Sequence, residues 1–139
     1  GDHRVLHSFP TRRSSDLRIF MEDAIFVAHN AEFDFNFLNA SFERFGLGTI
    51  GNLKLCTIDL AKRTFESERY GLAYLIESLQ IETARHHRAY SDALSAAKVM
   101  EKSFQTLPKY VKSADDLLQF ATSSKKSRTA KKESSAIRP

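Results

Sequence analysis

Ala24-Ile25-Phe26-Val27-Ala28-His29-Asn30-Ala31-Glu32-Phe33-Asp34 decides the fold class of this chain. It opens with a short continuous apolar run, the pattern of a strand covered on both faces. Asn30 then offers an N-cap to a helix that runs from Ala31 to Phe45 and stops at Gly46. Asp34 falls in the first turn of that helix, where the dipole favours an anion. It also lies beyond the carboxyl end of the strand, the edge at which open α/β sheets place ligands. Asp34 heads the row Asp34, Leu38, Ser41, Phe45 and is expected at the margin of the buried layer.

Further along, Leu53 to Ile58 reads as a second strand, and Asp59 as the cap of a helix through about Phe65. Leu72 to Leu79 is helical, with Leu72, Leu75, Ile76 and Leu79 on one face. A longer helix runs from near Tyr90 to about Leu107, where Pro108 closes it, and Tyr110 to Ala121 forms a short amphipathic one. Upstream, Ile19, Phe20 and Met21 read as the end of a helix. Strands alternating with helices imply an α/β layer fold. Two strands cannot cover the apolar faces of four helices, so the sheet is expected to be incomplete.

The two ends differ from this middle. His7-Ser8-Phe9-Pro10-Thr11-Arg12-Arg13-Ser14-Ser15-Asp16-Leu17 has no hydrophobic period of either kind. It resembles, residue for residue, one reading frame of a widely used short-read sequencing adapter; the alternative is a natural flexible leader. Residues 1–17 are therefore expected to be non-native and stand outside the fold reading. From Ser123 to Pro139 six basic residues are opposed by Glu133 alone, and a disordered tail is expected there. A solvated tail explains it better than nucleic-acid contact, since a run of lysines carries little specificity. That tail exceeds the whole net charge of +4, so the rest of the chain is close to neutral. The domain reading is thus 1–17 adapter-derived, 18–122 globular, and 123–139 tail.

With 139 residues, 42% of them apolar, the chain fits one soluble domain with a modest core. No apolar run approaches the roughly 20 residues that cross a bilayer, and no signal-peptide core precedes the fold. Cys56 is the single cysteine, which excludes an intrachain disulfide and suits a reducing, cytoplasmic setting.

Chemistry concentrates at two places. His87-Arg88-Ala89-Tyr90-Ser91-Asp92-Ala93 repeats the arrangement around Asp34: an aspartate opens a helix, here at the head of the row Asp92, Ala96, Val99, Ser103. Alanines 89, 93 and 97 let this helix approach a neighbour closely, bringing Asp92 to the same sheet end. His87 lies five residues earlier, on a segment free to fold over the carboxylates. Taken singly, each is as readily an ordinary helix-start aspartate or a surface histidine. Together they form the acid and imidazole kit of a metal-dependent phosphodiesterase.

Phe26 to Leu38 and His87 to Ala93 resemble the second and third motifs of the DnaQ-like (DEDDh) 3′–5′ exonucleases. Their pattern His-Asn-Ala-x-Phe-Asp-x-x-Phe-Leu is met by His29, Asn30, Ala31, Phe33, Asp34, Phe37 and Leu38. The pattern His-x-Ala-x-x-Asp-Ala is met by His87, Ala89, Asp92 and Ala93. Cys56 to Arg63 and Tyr70 to Leu79 are similar to the family's connecting segments, so the likeness covers about Ile19 to Leu107. It implies a ribonuclease-H-like exonuclease fold and a proofreading domain of the DNA polymerase III epsilon or PolC type. It implies two divalent ions, Mg²⁺ or Mn²⁺, clamping an in-line displacement. By the same resemblance Asp92 binds the metal that activates water, Asp34 holds the second, and His87 is the general base. Asn30 and Phe33 position the backbone and terminal base. The substrate is a single-stranded 3′ end of DNA, with RNA as an alternative. The product is a nucleoside 5′-monophosphate, and a DNA polymerase subunit is the implied partner.

One element departs from the family. Its first motif, an Asp-x-Glu pair on the opening strand, occurs nowhere in the chain. Two carboxylates cannot neutralise two divalent cations or fix their separation. An N-terminally truncated exonuclease, its first strands missing and itself inactive, is therefore expected. Two other readings stay open. One is a degenerate exonuclease fold kept as a polymerase-docking module, which the intact Asp34, His87 and Asp92 argue against. The other is a related RNA-trimming exonuclease, which these residues do not separate from a DNA enzyme.

Overall fold

A computed structural model of the chain describes residues 2–83 and 88–123, with side chains from Arg12 onward. His87, the expected general base, and residues 124–139, most of the expected tail, lie outside the described residues. The element order is α1 (Asp2–Met21), β1 (Phe26–Ala28), α2 (Ala31–Arg44), β2 (Lys54–Cys56), α3 (Thr57–Thr64), α4 (Leu72–Ser78), α5 (Arg88–Phe104) and α6 (Ala114–Thr122).

The apolar runs become strands because only a ladder satisfies their backbone groups in a dry layer. β1 and β2 pair in parallel, Phe26 beside Lys54, Val27 beside Leu55 and Ala28 beside Cys56. Parallel neighbours need a crossover, and α2 supplies it. Among the described residues these two strands are the whole sheet. One edge of β1 therefore carries no strand. The two strands read from the sequence are the two that pair.

Two apolar clusters hold the helices to this small sheet. Leu55 of β2, Leu60 of α3 and Phe120 and Ala121 of α6 form one, with Ile25, Met100 and Leu117 against it. Ala61 of α3, Leu75 of α4, Ile81 and Val99 of α5 form the other. α3 contributes to both and is the pivot of the core. On α5 the expected row is buried at Ala96, Val99 and Ser103 and exposed at Asp92. On α2 the expected row is displaced. The helix buries Ala31, Phe35 and Phe42, and Asp34 stands on an exposed neighbouring row. Phe35 is the anchor, its ring edge-on to Phe26 at 5.4 Å and beneath the Lys54 ammonium at 4.7 Å.

Three local expectations are corrected by backbone geometry. Asn30 occupies the N-cap position of α2 but makes no side-chain cap hydrogen bond; it is there in the left-handed conformation, φ 76°, which asparagine tolerates better than most residues. Asp59 does not cap α3, which already begins at Thr57, so Asp59 lies in its first turn. The last helix starts at Ala114 rather than Tyr110. Ser113 accepts from the Asp116 amide while the Asp116 carboxylate accepts from the Ser113 amide, a reciprocal cap. Gly46 ends α2 as expected, at φ +72°.

The N-terminal segment, whose residues 1–17 stood outside the fold reading, belongs to a 20-residue helix, and Ile19 to Met21 form its end as expected. Its described side chains face solvent, with Phe20 86% exposed and Ile19 70%. Its C-terminal end is tied down. The Asn52 amide donates to the carbonyls of Met21, Glu22 and Ala24, in the segment between α1 and β1. Among the described residues, no helix is long and apolar enough to cross a membrane.

Candidate active site

β1 ends at Ala28, the chain turns through His29 and Asn30, and α2 begins at once. This abrupt turn places Asp34 over the carboxyl end of the strand. α5 packs beside β1 and brings Asp92 from its second turn. Asp34 and Asp92 line one cavity of about 550 Å³, together with Phe26, Val27 and Ala28 of β1 and Leu72 of α4. The α5 wall of that cavity is Ala89, Ala93, Ala96, Ala97 and Met100. These alanines were expected to admit a close neighbour. Among the described residues no element fills the space they leave, and the result is an open apolar cleft with two carboxylates in its lining.

His29 is the third polar group of the cleft. Its Nδ1 is 2.7 Å from Thr57 Oγ1, and its Nε2 is 2.7 Å from the carbonyl oxygen of Tyr70. A carbonyl only accepts, so Nε2 carries the proton; Nδ1 then accepts from the Thr57 hydroxyl. Burial, which penalises the imidazolium, lowers the His29 pKa from its ordinary value, and the bond to Tyr70 opposes that only in part. The ring is a neutral tie rather than a cation. The motif pattern includes His29, yet the sequence reading gave it no role. Its one local signal is that it is the polar residue ending a buried apolar run.

The other expected site residues fall elsewhere. Asn30 lines a separate cavity of about 370 Å³, with Glu32, Lys54, Cys56 and Asp59 among its neighbours. Phe33 lies 67% exposed on α2, and Phe37, one turn on, is 69% exposed. At the same helix start the Glu32 carboxylate accepts from Lys54 Nζ at 2.9 Å, and that bond lowers the Glu32 pKa. The pair links α2 to β2 at the surface, where such bridges contribute little.

The expected ions can be tested against these donors. Among the described residues no three His, Cys, Asp or Glu side chains gather as a metal-holding group. Asp34 and Asp92 are the two carboxylates of the cleft, and both ring nitrogens of His29 are already engaged. That set does not fit two divalent cations, which need more negative charge and more oxygen ligands.

The fold, the strand-end position and the acidic pair can be set beside known proteins. A family model described as exonuclease, RNase T, matches residues 2–100. The chain belongs to this exonuclease family. The family is DnaQ-like and implies a ribonuclease-H-like fold, of which the small parallel sheet and its helices are a part. The chain is similar to the PolC-type DNA polymerase III of Staphylococcus haemolyticus strain JCSC1435, 37% identical over 95 residues, 67% of this chain and 6% of that protein. It is also similar to the PolC-type DNA polymerase III of Staphylococcus aureus, 36% identical over 95 residues, 67% of this chain and 7% of that protein. The chain thus corresponds to less than a tenth of the length of these relatives.

Proposed function

We propose that this chain is the acidic-pair portion of a 3′–5′ exonuclease domain of the proofreading type, acting on single-stranded 3′ ends of DNA. One observation carries the reading: Asp34 and Asp92 line a single cleft at the carboxyl end of β1. Membership of the exonuclease family and likeness to PolC-type polymerases support it.

In this reading Asp34 and Asp92 are two of the carboxylates that hold Mg²⁺ or Mn²⁺, His87 takes the proton of the attacking water, and Phe33 and Asn30 meet the substrate. Phe33 suits contact with a terminal base, because an exposed aromatic ring offers a stacking face. The domain proper spans residues 18–122.

The 139-residue chain is proposed to be inactive by itself. It has no Asp-x-Glu, its described donors do not fit the ions, and among the described residues one edge of β1 carries no strand. A truncated exonuclease accounts for all three together.

Directionality tests the reading. The chain fused behind a strand pair bearing Asp-x-Glu is incubated with Mg²⁺ and single-stranded DNA labelled at its 5′ end. A ladder shortening from the 3′ end is expected, and it should disappear with Asp92→Ala. Release of the 5′ label as a mononucleotide would contradict the proposal.

A further inference from the structure

We propose that His29 is a positioning residue for Asp34, a neutral two-ended tie that sets where β1 stops and α2 starts. The proposal rests on the reading of Asp34 as a site carboxylate. It concerns a residue to which no chemistry has been assigned.

The turn between β1 and α2 has little to hold it locally. Asn30 adopts the left-handed conformation without a side-chain cap hydrogen bond. The first helical bond, from the Asp34 amide to the Asn30 carbonyl, is long at 3.4 Å. A turn with a weak first bond and an unassisted cap would let Asp34 wander over the end of the strand. His29 removes that freedom from behind. It is the first residue of the turn, and each of its ring nitrogens is held at 2.7 Å by a different part of the chain.

Both anchors are themselves fixed. Thr57 is completely buried and is the first residue of α3, the helix that serves both apolar clusters. Tyr70 sits just before α4, and its hydroxyl donates to the Phe65 carbonyl at 2.8 Å and accepts from the Ser67 amide at 3.3 Å. The Tyr70 carbonyl is therefore a stationary acceptor rather than a passing one. The tie crosses from β1 to α3 and to the approach of α4, whose Leu72 is a wall of the cleft.

The same geometry excludes other roles for the ring. With Nε2 donating and Nδ1 accepting, no lone pair remains to take a proton from water or to bind a cation. A histidine that lines an acidic cleft with both nitrogens engaged acts through its neighbours. Two polar bonds made in a partly dry site favour one ring orientation and one tautomer.

The test uses the full 139-residue chain. Nitrogen NMR of ¹⁵N-histidine-labelled protein at neutral pH is expected to show His29 neutral, with the proton on Nε2. A ring protonated at Nδ1, or charged, would overturn the proposal before any variant is made. Residual dipolar couplings of the amides from Asn30 to Asp34 then report the direction of the helix start relative to α5. His29→Ala is expected to change these couplings while those of α3 and α5 stay as they were. His29→Gln, whose amide nitrogen reaches the Tyr70 carbonyl, is expected to restore most of the original values. Unchanged couplings in His29→Ala would overturn the proposal, and so would a Gln variant no better than Ala. These readouts do not depend on cleavage, so failure of the exonuclease reading would show separately, in the 3′-end assay.

Discussion

Asp34, in the first turn of α2, and Asp92, in the second turn of α5, line the same cleft although they lie far apart in sequence. α2 begins directly at the end of β1, and α5 packs beside that strand, so both helix starts open over one sheet edge. Charge gathered there is incomplete. No third acidic or imidazole side chain joins them among the described residues to make a metal-holding group.

Weak ion binding follows. A ligand that binds only the folded state raises the unfolding temperature once its concentration exceeds its Kd, and by more the tighter it binds. Millimolar Mg²⁺ is therefore expected to leave the melting temperature of the chain unchanged in a calorimetric scan. A rise of several degrees that Asp34→Asn abolishes would mean that the cleft already holds a complete ion site.

His29 gives stability a pH dependence. Its folded pKa lies below its ordinary value of 6.5, chiefly because burial penalises the charged ring. Above 6.5 both folded and unfolded rings are neutral, and the contribution is fully present. As pH falls below that value the unfolded chain takes up the proton first, so stability drops until the folded pKa is passed. Urea midpoints measured through this window should fall with pH in the unsubstituted chain, and the fall should flatten in His29→Gln. The carboxylates of Glu32 and Asp116, held low by Lys54 and by the Lys112 amide respectively, add a further loss only in stronger acid.

Packing is concentrated around α3. Leu60 and Leu75 are completely buried, one in each apolar cluster. Truncating either to alanine is expected to cost about 2–5 kcal/mol, a large part of the stability of a small domain. Phe37→Ala, at a mostly exposed ring, should stay within about 0.5 kcal/mol. Chemical denaturation of the three variants checks the contrast.

The last helix depends on its cap. Ser113→Ala removes the hydroxyl that accepts from the Asp116 amide at 3.1 Å and is expected to cost about 1 kcal/mol. Because α6 supplies Phe120 and Ala121 to the core, the loss should appear as a lower global midpoint, with little separate fraying.

Much of the fold was legible in the sequence because local patterns decide it. Apolar runs around Phe26 to Ala28 and Lys54 to Cys56 announced the strands, and glycine at 46 announced a helix end. The row Ala96, Val99, Ser103 announced the buried face of α5. What stayed hidden depends on partners distant in sequence. The burial of Phe35 rather than the row behind Asp34 follows from Phe26 and Lys54, which no helical period reveals. The tie from His29 to Tyr70 spans loops whose path the sequence does not specify. Helix α1 forms with little packing of its described side chains, so the missing hydrophobic period gave no warning of it. At the site, helix position and the alanine row already pointed Asp34 and Asp92 to one sheet end; the coordinates put them on one cleft and Asn30 on another.

The most direct measurement compares nucleotide release by two proteins, the chain alone and the chain carrying an added Asp-x-Glu strand pair. Each is given single-stranded DNA with a labelled 3′ end and Mg²⁺. No nucleoside 5′-monophosphate is expected from the first, and steady release is expected from the second, lost in Asp92→Ala. Release by the unassisted chain that persists when Asp34 and Asp92 are both replaced by alanine would contradict the assignment of this cleft.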